Sequence, residues 1–163
     1  MDGVENLYHL VIEHLERGAN YPGWHKDIYP TREVAKSAID KDELYILWDN
    51  DKMAGSIVLS HRPEKAYSKA DWAIDADYKD IIVIHTLVAN PDYMRRGIAR
   101  KLMDFAVDFA RENKMKAVRL DVSTTNVPAM ALYEKCGFKC AGIADLKFKP
   151  REKFWYRLYE LVL

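Results

Sequence analysis

The sequence predicts a mixed α/β domain, and three features of the chain lead to that class. First, the β-branched apolar run 81–87 is continuous enough to form a strand buried on both faces. Second, apolar residues recur at helical spacing from Ile98 onward, after a short loop. Third, residues 119–138 contain another strand, a polar turn and a short helix, so the two segments form one βαβ unit. A chain of 163 residues has the ordinary length of one domain with a single hydrophobic core, so we expect residues 1–163 to form a single domain.

Two helices are predicted ahead of this unit. Residues 4–17 form the first, because apolar side chains share one face and Gly18 can end the helix. That face consists of Leu7, Leu10, Val11 and Leu15. An aromatic loop follows at 21–30, and it either covers the edge of the core or forms the floor of a pocket. Thr31 is then a suitable cap for a helix that ends at Ile39.

Further strands are predicted on both sides of the βαβ unit. Residues 44–48 and 53–59 alternate around a four-residue turn, which predicts an antiparallel hairpin. Residues 60–80 show no clear periodicity, and we expect either a solvated loop or a lid over an acceptor site. Residues 154–163 are apolar on both faces apart from Arg157 and Glu160, which predicts an interior strand.

The composition excludes several classes of protein. With 25 basic and 25 acidic residues, the chain lacks the basic excess of a nucleic-acid-binding module. No apolar run has the length of a membrane span and the first residues do not resemble a signal peptide, so we expect no membrane partner and a cytoplasmic location. Cys136 and Cys140 have no second pair nearby, so we expect no metal and two reduced, partly buried thiols.

The loop between the first strand of the βαβ unit and its helix has the features of an anion site. Backbone N–H groups at a helix start have no intrahelical partner, and the helix dipole places positive potential on them. A phosphate can therefore bind to the main chain alone. Because Gly97 and Ala99 keep bulky side chains away, we expect such a site at residues 94–99.

This loop and residues 126–138 together resemble the GNAT superfamily of acyl-CoA-dependent N-acyltransferases. In that family a Gln/Arg-x-x-Gly-x-Gly/Ala loop holds the pyrophosphate of acetyl-CoA, and Gly97 and Ala99 match it. A later segment of the family reads Asn-x-x-Ala-x-x-x-Tyr-x-x-x-Gly-Phe. It is matched by Asn126, Ala129, Tyr133, Gly137 and Phe138. The Gln or Arg of the family falls on Met94, and we expect Arg95 or Arg96 to supply the charge.

The resemblance implies an α/β fold whose mixed, mostly antiparallel central sheet contains one splayed parallel strand pair, with helices on both faces. Family members usually begin with a strand, which we expect to be absent or very short here. Acetyl-CoA is the implied acyl-donor cosubstrate. Its implied binding residues are Leu87, Val88, Ala89, Met94, Arg95, Arg96, Gly97, Ile98, Ala99, Arg100, Asn126 and Ala129.

Some of these residues have two interpretations. Backbone N–H groups of residues 87–89 occupy the place that polarises the acetyl carbonyl in the family, where a free strand edge also pairs with the pantetheine arm. Arg100 either meets a cofactor phosphate or is a solvated helix charge. Asn126 either caps the following helix or binds the pantetheine, and its amide can do both.

The resemblance assigns the acid of the reaction to Tyr133, because a phenol is a weak enough acid to stay protonated and still protonate a thiolate. His85 is the candidate base, on the strand face that alternation also gives to Leu87. A lone histidine in an apolar strand is also typical of a core residue. The alternatives are a carboxylate or a relay through ordered water. The candidate carboxylates are Asp121, Asp75 and Asp77.

The chain is therefore predicted to be an acetyl-CoA-dependent N-acetyltransferase that acts by direct attack in a ternary complex. Its acceptor is a primary amine of a small molecule or peptide. One alternative is a nucleotide-binding module, although the sequence contains neither Gly-x-Gly-x-x-Gly nor Gly-Lys-Ser/Thr. Another is a non-catalytic acyl-CoA sensor or interaction domain. The apolar final strand also suits a homodimer contact, if it lies at a sheet edge.

Overall fold

The computed structural model describes residues 1–146 and 154–163, which group into two compact units. The first unit contains Met1–Leu59 and His85–Phe105, and the second contains the described residues of Ser60–Ile84 and Ala106–Leu163. The single-domain organisation stays a prediction. The helices are α1 (Asp2–Arg17), α2 (Arg32–Ile39), α3 (Ile98–Glu112) and α4 (Val127–Lys135). The strands are β1 (Leu44–Asp49), β2 (Lys52–Ser60), β3 (Ile81–Ala89), β4 (Ala117–Ser123), β5 (Lys139–Asp145) and β6 (Trp155–Val162).

In the described part of the chain, six strands form one sheet in the order β1-β2-β3-β4-β6-β5. Strands β3 and β4 are parallel. Helix α3 connects them and returns the chain to the end of the sheet where β3 begins. The hairpin of β1 and β2 is antiparallel, as are the pairs of β6 with β4 and β5. The predicted mixed α/β class with a mostly antiparallel sheet is thus confirmed.

The parallel pair is joined at its beginning. Its register runs from Ile81 opposite Ala117 to Ile84 opposite Leu120. Strand β3 continues for five residues beyond that register, and β4 continues through Asp121 to Ser123. Both strands therefore continue past the hydrogen-bonded part of the pair, and the splay of their ends stays a prediction.

The first unit is held by an apolar core beneath α1. Its buried members are Val4, Leu7, Tyr8, Val11, Ala35 and Val88. The prediction that Leu10 belongs to the buried face is wrong, because this side chain is 47% exposed. Tyr8 and Ile12 are buried instead, which moves the centre of the apolar stripe away from Leu10.

The second unit has its own core, to which β6 contributes Leu158. Strand β6 lies between β4 and β5, which confirms the predicted interior strand. The homodimer hypothesis assumed that this final strand lies at a sheet edge, and it does not. A homodimer stays a prediction. Both cysteines are free thiols, and Cys140 is exposed, so the expectation that both are partly buried is wrong for it.

The segment between β2 and β3 is tied to the sheet by a buried ion pair. Arg119 of β4 and Glu160 of β6 lie 2.9 Å apart and are almost completely buried. Arg119 also donates to the carbonyl of Ile74 at 2.8 Å, and Glu160 accepts from the N–H of Ala73 at 2.7 Å. The guanidinium lies over the ring of Trp72, 4.3 Å from its centroid. The segment, for which a solvated loop or a lid was expected, is thus anchored to the sheet at these residues, and a lid over an acceptor site stays a prediction. Across residues 1–146 and 154–163, no helix combines the length and apolar character that a bilayer span requires.

Candidate active site

The carboxyl-terminal half of β3 departs from regular strand geometry. Thr86 has φ of +44°, a left-handed conformation that a β-branched residue rarely adopts. Its hydroxyl is hydrogen-bonded to that of Tyr29, which secures this conformation from the aromatic loop. His85 and Leu87 are half-buried while Val88 is buried. Irregularities of this kind re-aim neighbouring groups next to active sites. The sequence carries no local signal for the conformation of Thr86.

Asn90 connects the end of β3 to β2. Its N–H donates to the carbonyl of Ala54 at 2.9 Å, and its side-chain amide donates to the carbonyl of Met53 at 2.8 Å. The side-chain oxygen accepts from the N–H of Asp92 at 3.0 Å, which caps the short 3-10 helix Pro91–Tyr93. Asn90 therefore orients the loop that follows. The Asn-Pro-Asp sequence is a turn signal from which this role could have been predicted.

The loop itself is fully presented to solvent. Residues 94–97 are exposed, and Ile98 is buried, so the first residue of α3 anchors the loop in the core. Arg95 and Gly97 have φ of +62° and +74°. Apart from its immediate chain neighbours, no described residue has an atom within 4 Å of the place where a side chain at Gly97 would begin. Glycine adopts this conformation without strain, and its lack of a side chain leaves open the space in front of the helix start.

Two basic side chains of the loop and the helix start, Arg96 and Arg100, have local partners. Arg96 lies over the ring of Tyr93, with 5.4 Å between guanidinium carbon and centroid. Arg100 donates to Asp104 at 2.7 Å on the exposed face of α3. Met94, at the position of the family's Gln or Arg, is 59% exposed and supplies no charge. Arg95 and Arg96, both exposed, are therefore the basic residues of the loop itself.

Gly55 allows the close approach of β2 to this region. A Cβ atom at this position would lie 2.6 Å from the carbonyl oxygen of Val88 and 2.9 Å from Ile98. No side chain fits at that distance without a shift of backbone. Gly55 is therefore a positional requirement for the candidate site, which the sequence reasoning missed.

The second unit carries the Asn-x-x-Ala-x-x-x-Tyr segment, which begins at Asn126. Asn126 is the N-cap of α4, and its side-chain oxygen accepts from the N–H of Ala129 at 3.3 Å. This confirms the capping interpretation of Asn126, while pantetheine binding stays a prediction. Tyr133 follows on α4 and is 7% exposed. Its ring packs against Phe138 and Tyr159, with centroids 6.3 Å and 6.1 Å away.

The Tyr133 hydroxyl is placed to remain protonated. Burial raises the pKa of Tyr133 well above that of a free phenol, and the negative charge of Asp121 adds to the effect. Among the described residues, none forms a hydrogen bond with this hydroxyl. The phenol is thus a neutral donor without a competing acceptor in the described part of the chain.

Asp121 is the first residue of β4 beyond the parallel register, and its environment alters its acidity. Tyr67 donates a hydrogen bond to its carboxylate at 2.8 Å. Burial raises the pKa of Asp121 to about 6; the hydrogen bond from Tyr67 opposes this rise, and the charge of Glu64 adds to it. A carboxylate with this pKa accepts and releases a proton near neutral pH.

The predicted residues thus fall on two sets of elements. The first unit carries His85, residues 87–89 and residues 94–100, while the second carries Asn126, Ala129 and Tyr133. His85 has an interaction partner and is half-buried, and its role stays a prediction. No cluster of His, Cys, Asp or Glu suited to a metal ion occurs in residues 1–146 and 154–163.

Comparison with known proteins yields a family and several relatives. The model of the acetyltransferase (GNAT) family matches residues 9–138. A streptothricin acetyltransferase of Escherichia coli is 31% identical over 141 residues, which cover 80% of this chain and 72% of the relative. Ribosomal protein bS18-alanine N-acetyltransferase of Escherichia coli K12 is 32% identical over 74 residues, covering 45% of this chain and 50% of that protein.

Solved structures share the fold. A Bacillus subtilis acetyltransferase, crystallised in complex with CoA, superposes with a TM-score of 0.67. The match covers 97% of this chain and 91% of that one at 16% identity. At this identity the likeness establishes the architecture of the sheet and helices.

Proposed function

The chain belongs to the acetyltransferase (GNAT) family, and on that premise we propose that it transfers an acetyl group from acetyl-CoA to a primary amine. The amine belongs to a small molecule or a peptide, and it attacks directly in a ternary complex. This chain is similar to a streptothricin acetyltransferase and to a ribosomal protein bS18-alanine N-acetyltransferase, whose names give one acceptor of each kind.

The observation that carries this proposal is the loop before α3. Its four exposed residues and the open space at Gly97 leave the first N–H groups of α3 accessible. A pyrophosphate fits such a site, because the helix dipole and the N–H groups both favour negative charge. Arg95 and Arg96 add positive charge at the same place, which offsets the neutral Met94.

Acetyl-CoA, when bound, supplies a thioester as the acyl donor. Backbone N–H groups of residues 87–89 would polarise its carbonyl, since β3 continues past its parallel register there. Asn126 and Ala129 would contribute at the start of α4. Tyr133 would protonate the departing thiolate, as its neutral hydroxyl allows. The base that deprotonates the amine is His85, a carboxylate or an ordered water.

The proposal is tested by calorimetric titration of the protein with acetyl-CoA, beside a nicotinamide dinucleotide. We expect micromolar binding of acetyl-CoA and none of the dinucleotide, followed by thiol release when a primary amine is added. Binding without thiol release across an amine panel would favour a non-catalytic acyl-CoA sensor. Absence of acetyl-CoA binding would overturn the proposal.

A further inference from the structure

Resting on the proposed function, we infer that the groove formed by residues 63–78 takes the acceptor as a small alkylammonium ion, and that Asp121 removes its proton. The groove has a volume of about 670 Å³, within the range of small-molecule sites. The lining residues on which recognition depends are Glu64, Tyr67, Asp71, Ile74, Asp75 and Tyr78.

The charge of the groove favours a cation. Glu64, Asp71 and Asp75 line it together with Lys65, whereas the charge of Arg119 is balanced by Glu160 at 2.9 Å. The groove is therefore net acidic. Ile74, Ala70 and Ala76 provide apolar surface for an alkyl chain, so the groove is complementary to both the charged head and the chain of an alkylammonium ion.

The walls of the groove are fixed before any ligand binds. The indole of Trp72 donates to the carbonyl of Tyr67 at 2.9 Å, and its ring lies against the guanidinium of Arg119. Ile74 is held to Arg119 through its carbonyl. A rigid wall reduces the entropy lost on binding.

The hydroxyl of one lining residue, Tyr78, has no hydrogen-bond partner in the described part of the chain. The hydroxyl oxygen of Tyr78 is buried and makes no hydrogen bond with any described residue. An unsatisfied buried polar atom is unfavourable and is expected to have a role or a missing partner. An ammonium group, with three N–H donors, can supply that partner.

Tyr67 links this groove to the reacting groups. It lines the groove and donates to the carboxylate of Asp121 at 2.8 Å. Asp121 follows the end of the parallel register on β4, and its negative charge raises the pKa of Tyr133, the proposed acid. Tyr67 thus joins the groove to Asp121 by a direct hydrogen bond, and Asp121 lies near enough to Tyr133 for its charge to raise the pKa of that phenol.

The proton transfers balance in this arrangement. The Asp121 carboxylate takes one proton from R–NH3⁺, and the nitrogen lone pair then forms the C–N bond as the thioester C–S bond breaks. The thiolate takes the proton of Tyr133, whose oxygen is reprotonated by the second proton of the amine. Asp121 returns its proton to solvent.

The titration of Asp121 involves four neighbours. Glu64 and Tyr67 face it from the segment between β2 and β3, Tyr133 from α4 and Tyr156 from β6. Tyrosines with raised pKa values stay neutral near pH 6, so Asp121 is the group of this cluster whose ionisation changes in that range.

The inference is tested first by binding. The probe is 1,5-diaminopentane, titrated calorimetrically into the protein saturated with coenzyme A. We expect Asp71→Asn/Asp75→Asn to weaken its binding about tenfold and to leave acetyl-CoA binding unchanged. The matched control is Asp108→Asn, which removes an exposed carboxylate on α3 outside the groove. Equal probe affinity in wild type and double variant would overturn the groove assignment.

The second test addresses the base. Asp121→Asn should lower kcat at least about 100-fold and remove the acidic limb near pH 6 from the rate profile. It should also remove one titrating resonance from ¹³C spectra of the aspartate carboxyls. His85→Ala should retain that limb. Persistence of the limb in Asp121→Asn, or its loss in His85→Ala, would overturn the assignment of Asp121.

Substrate preference separates this inference from the proposed function. At pH 7.5, we expect thiol release with 1,5-diaminopentane to exceed that with 4-methylaniline, which is uncharged, and with an alanyl tripeptide. Faster release with either of the latter would overturn the inference and leave acetyl transfer intact. If acetyl-CoA does not bind at all, the proposed function fails, and this inference fails with it.

Discussion

Tyr67 donates a hydrogen bond of 2.8 Å to the carboxylate of Asp121, although 54 residues separate them in the chain. The tyrosine is almost completely buried, and it holds the carboxylate from the segment between β2 and β3. A hydrogen bond to an ionised carboxylate favours its charged form. The pair therefore couples the acidity of a β4 residue to the position of a segment that the sequence pattern alone left undefined.

Replacement of Tyr67 should therefore move the acidity of Asp121. In Tyr67→Phe the ring remains and the hydrogen bond is lost, so the pKa of Asp121 should rise above about 6. The acidic limb of the pH–rate profile should move upward by about one unit, with kcat at pH 6 reduced accordingly. A profile with an unmoved limb would show that this hydrogen bond does not influence the reaction.

The raised pKa of Asp121 predicts a pH-dependent stability. The pKa of Asp121 is 3.8 in the unfolded chain and about 6 in the folded protein, so ionisation of this carboxyl opposes folding. The free energy of unfolding that the protonated form contributes is therefore lost as pH rises through 6. Asp121→Asn should therefore be more stable than wild type at pH 7.5, by at most about 3 kcal/mol. The difference should shrink as pH falls toward 4. Urea unfolding at several pH values measures it, with Asp108→Asn as the exposed control.

The hydroxyl of Tyr133 should matter for turnover and little for folding. Tyr133→Phe keeps the ring contacts with Phe138 and Tyr159 and breaks no hydrogen bond to a described residue. We expect kcat to fall about 100-fold, with the dissociation constant of acetyl-CoA and the Tm nearly unchanged. Steady-state kinetics and calorimetry measure the three quantities. An unaltered kcat would remove Tyr133 from the mechanism.

A negative side chain at Gly97 should abolish binding of acetyl-CoA. The space there is open, so Gly97→Glu introduces strain only through its φ of +74°, about 1–2 kcal/mol. The carboxylate would repel a pyrophosphate at the start of α3, and we expect affinity to fall at least about 100-fold. Gly23→Glu is the matched control, because Gly23 has φ of +71° and equally open surroundings. Equal losses in both variants would indicate backbone strain as the cause.

Gly55 should be sensitive to a single added methyl group. Gly55→Ala places a Cβ against the carbonyl of Val88 and should destabilise the protein by about 1–3 kcal/mol. Gly18→Ala is the control, since its nearest atom lies at 3.7 Å, an ordinary contact. Chemical unfolding compares the two, and similar stabilities would contradict the close approach of β2 to β3.

Much of the architecture follows from local patterns in the sequence. The run at 81–87 and the apolar spacing from Ile98 identify β3 and α3, because period and β-branching report secondary structure directly. Turn residues locate the hairpin of β1 and β2. The positions of Gly97 and Asn126 likewise follow from the sequence, since glycine at positive φ and asparagine at an N-cap have local causes.

The remaining features depend on contacts that no local pattern encodes. Leu10 is exposed because neighbouring residues on the helix define the buried stripe, and Thr86 adopts a left-handed conformation with Tyr29 as its distant partner. Residues that are close in the chain specify most of the helices and strands, the family resemblance and the candidate loop, although no local pattern predicted the strand β5. Tertiary structure alone decided that Tyr67 meets Asp121 and that residues 63–78 enclose a groove, because burial and hydrogen bonding between distant residues arise only when the chain is folded.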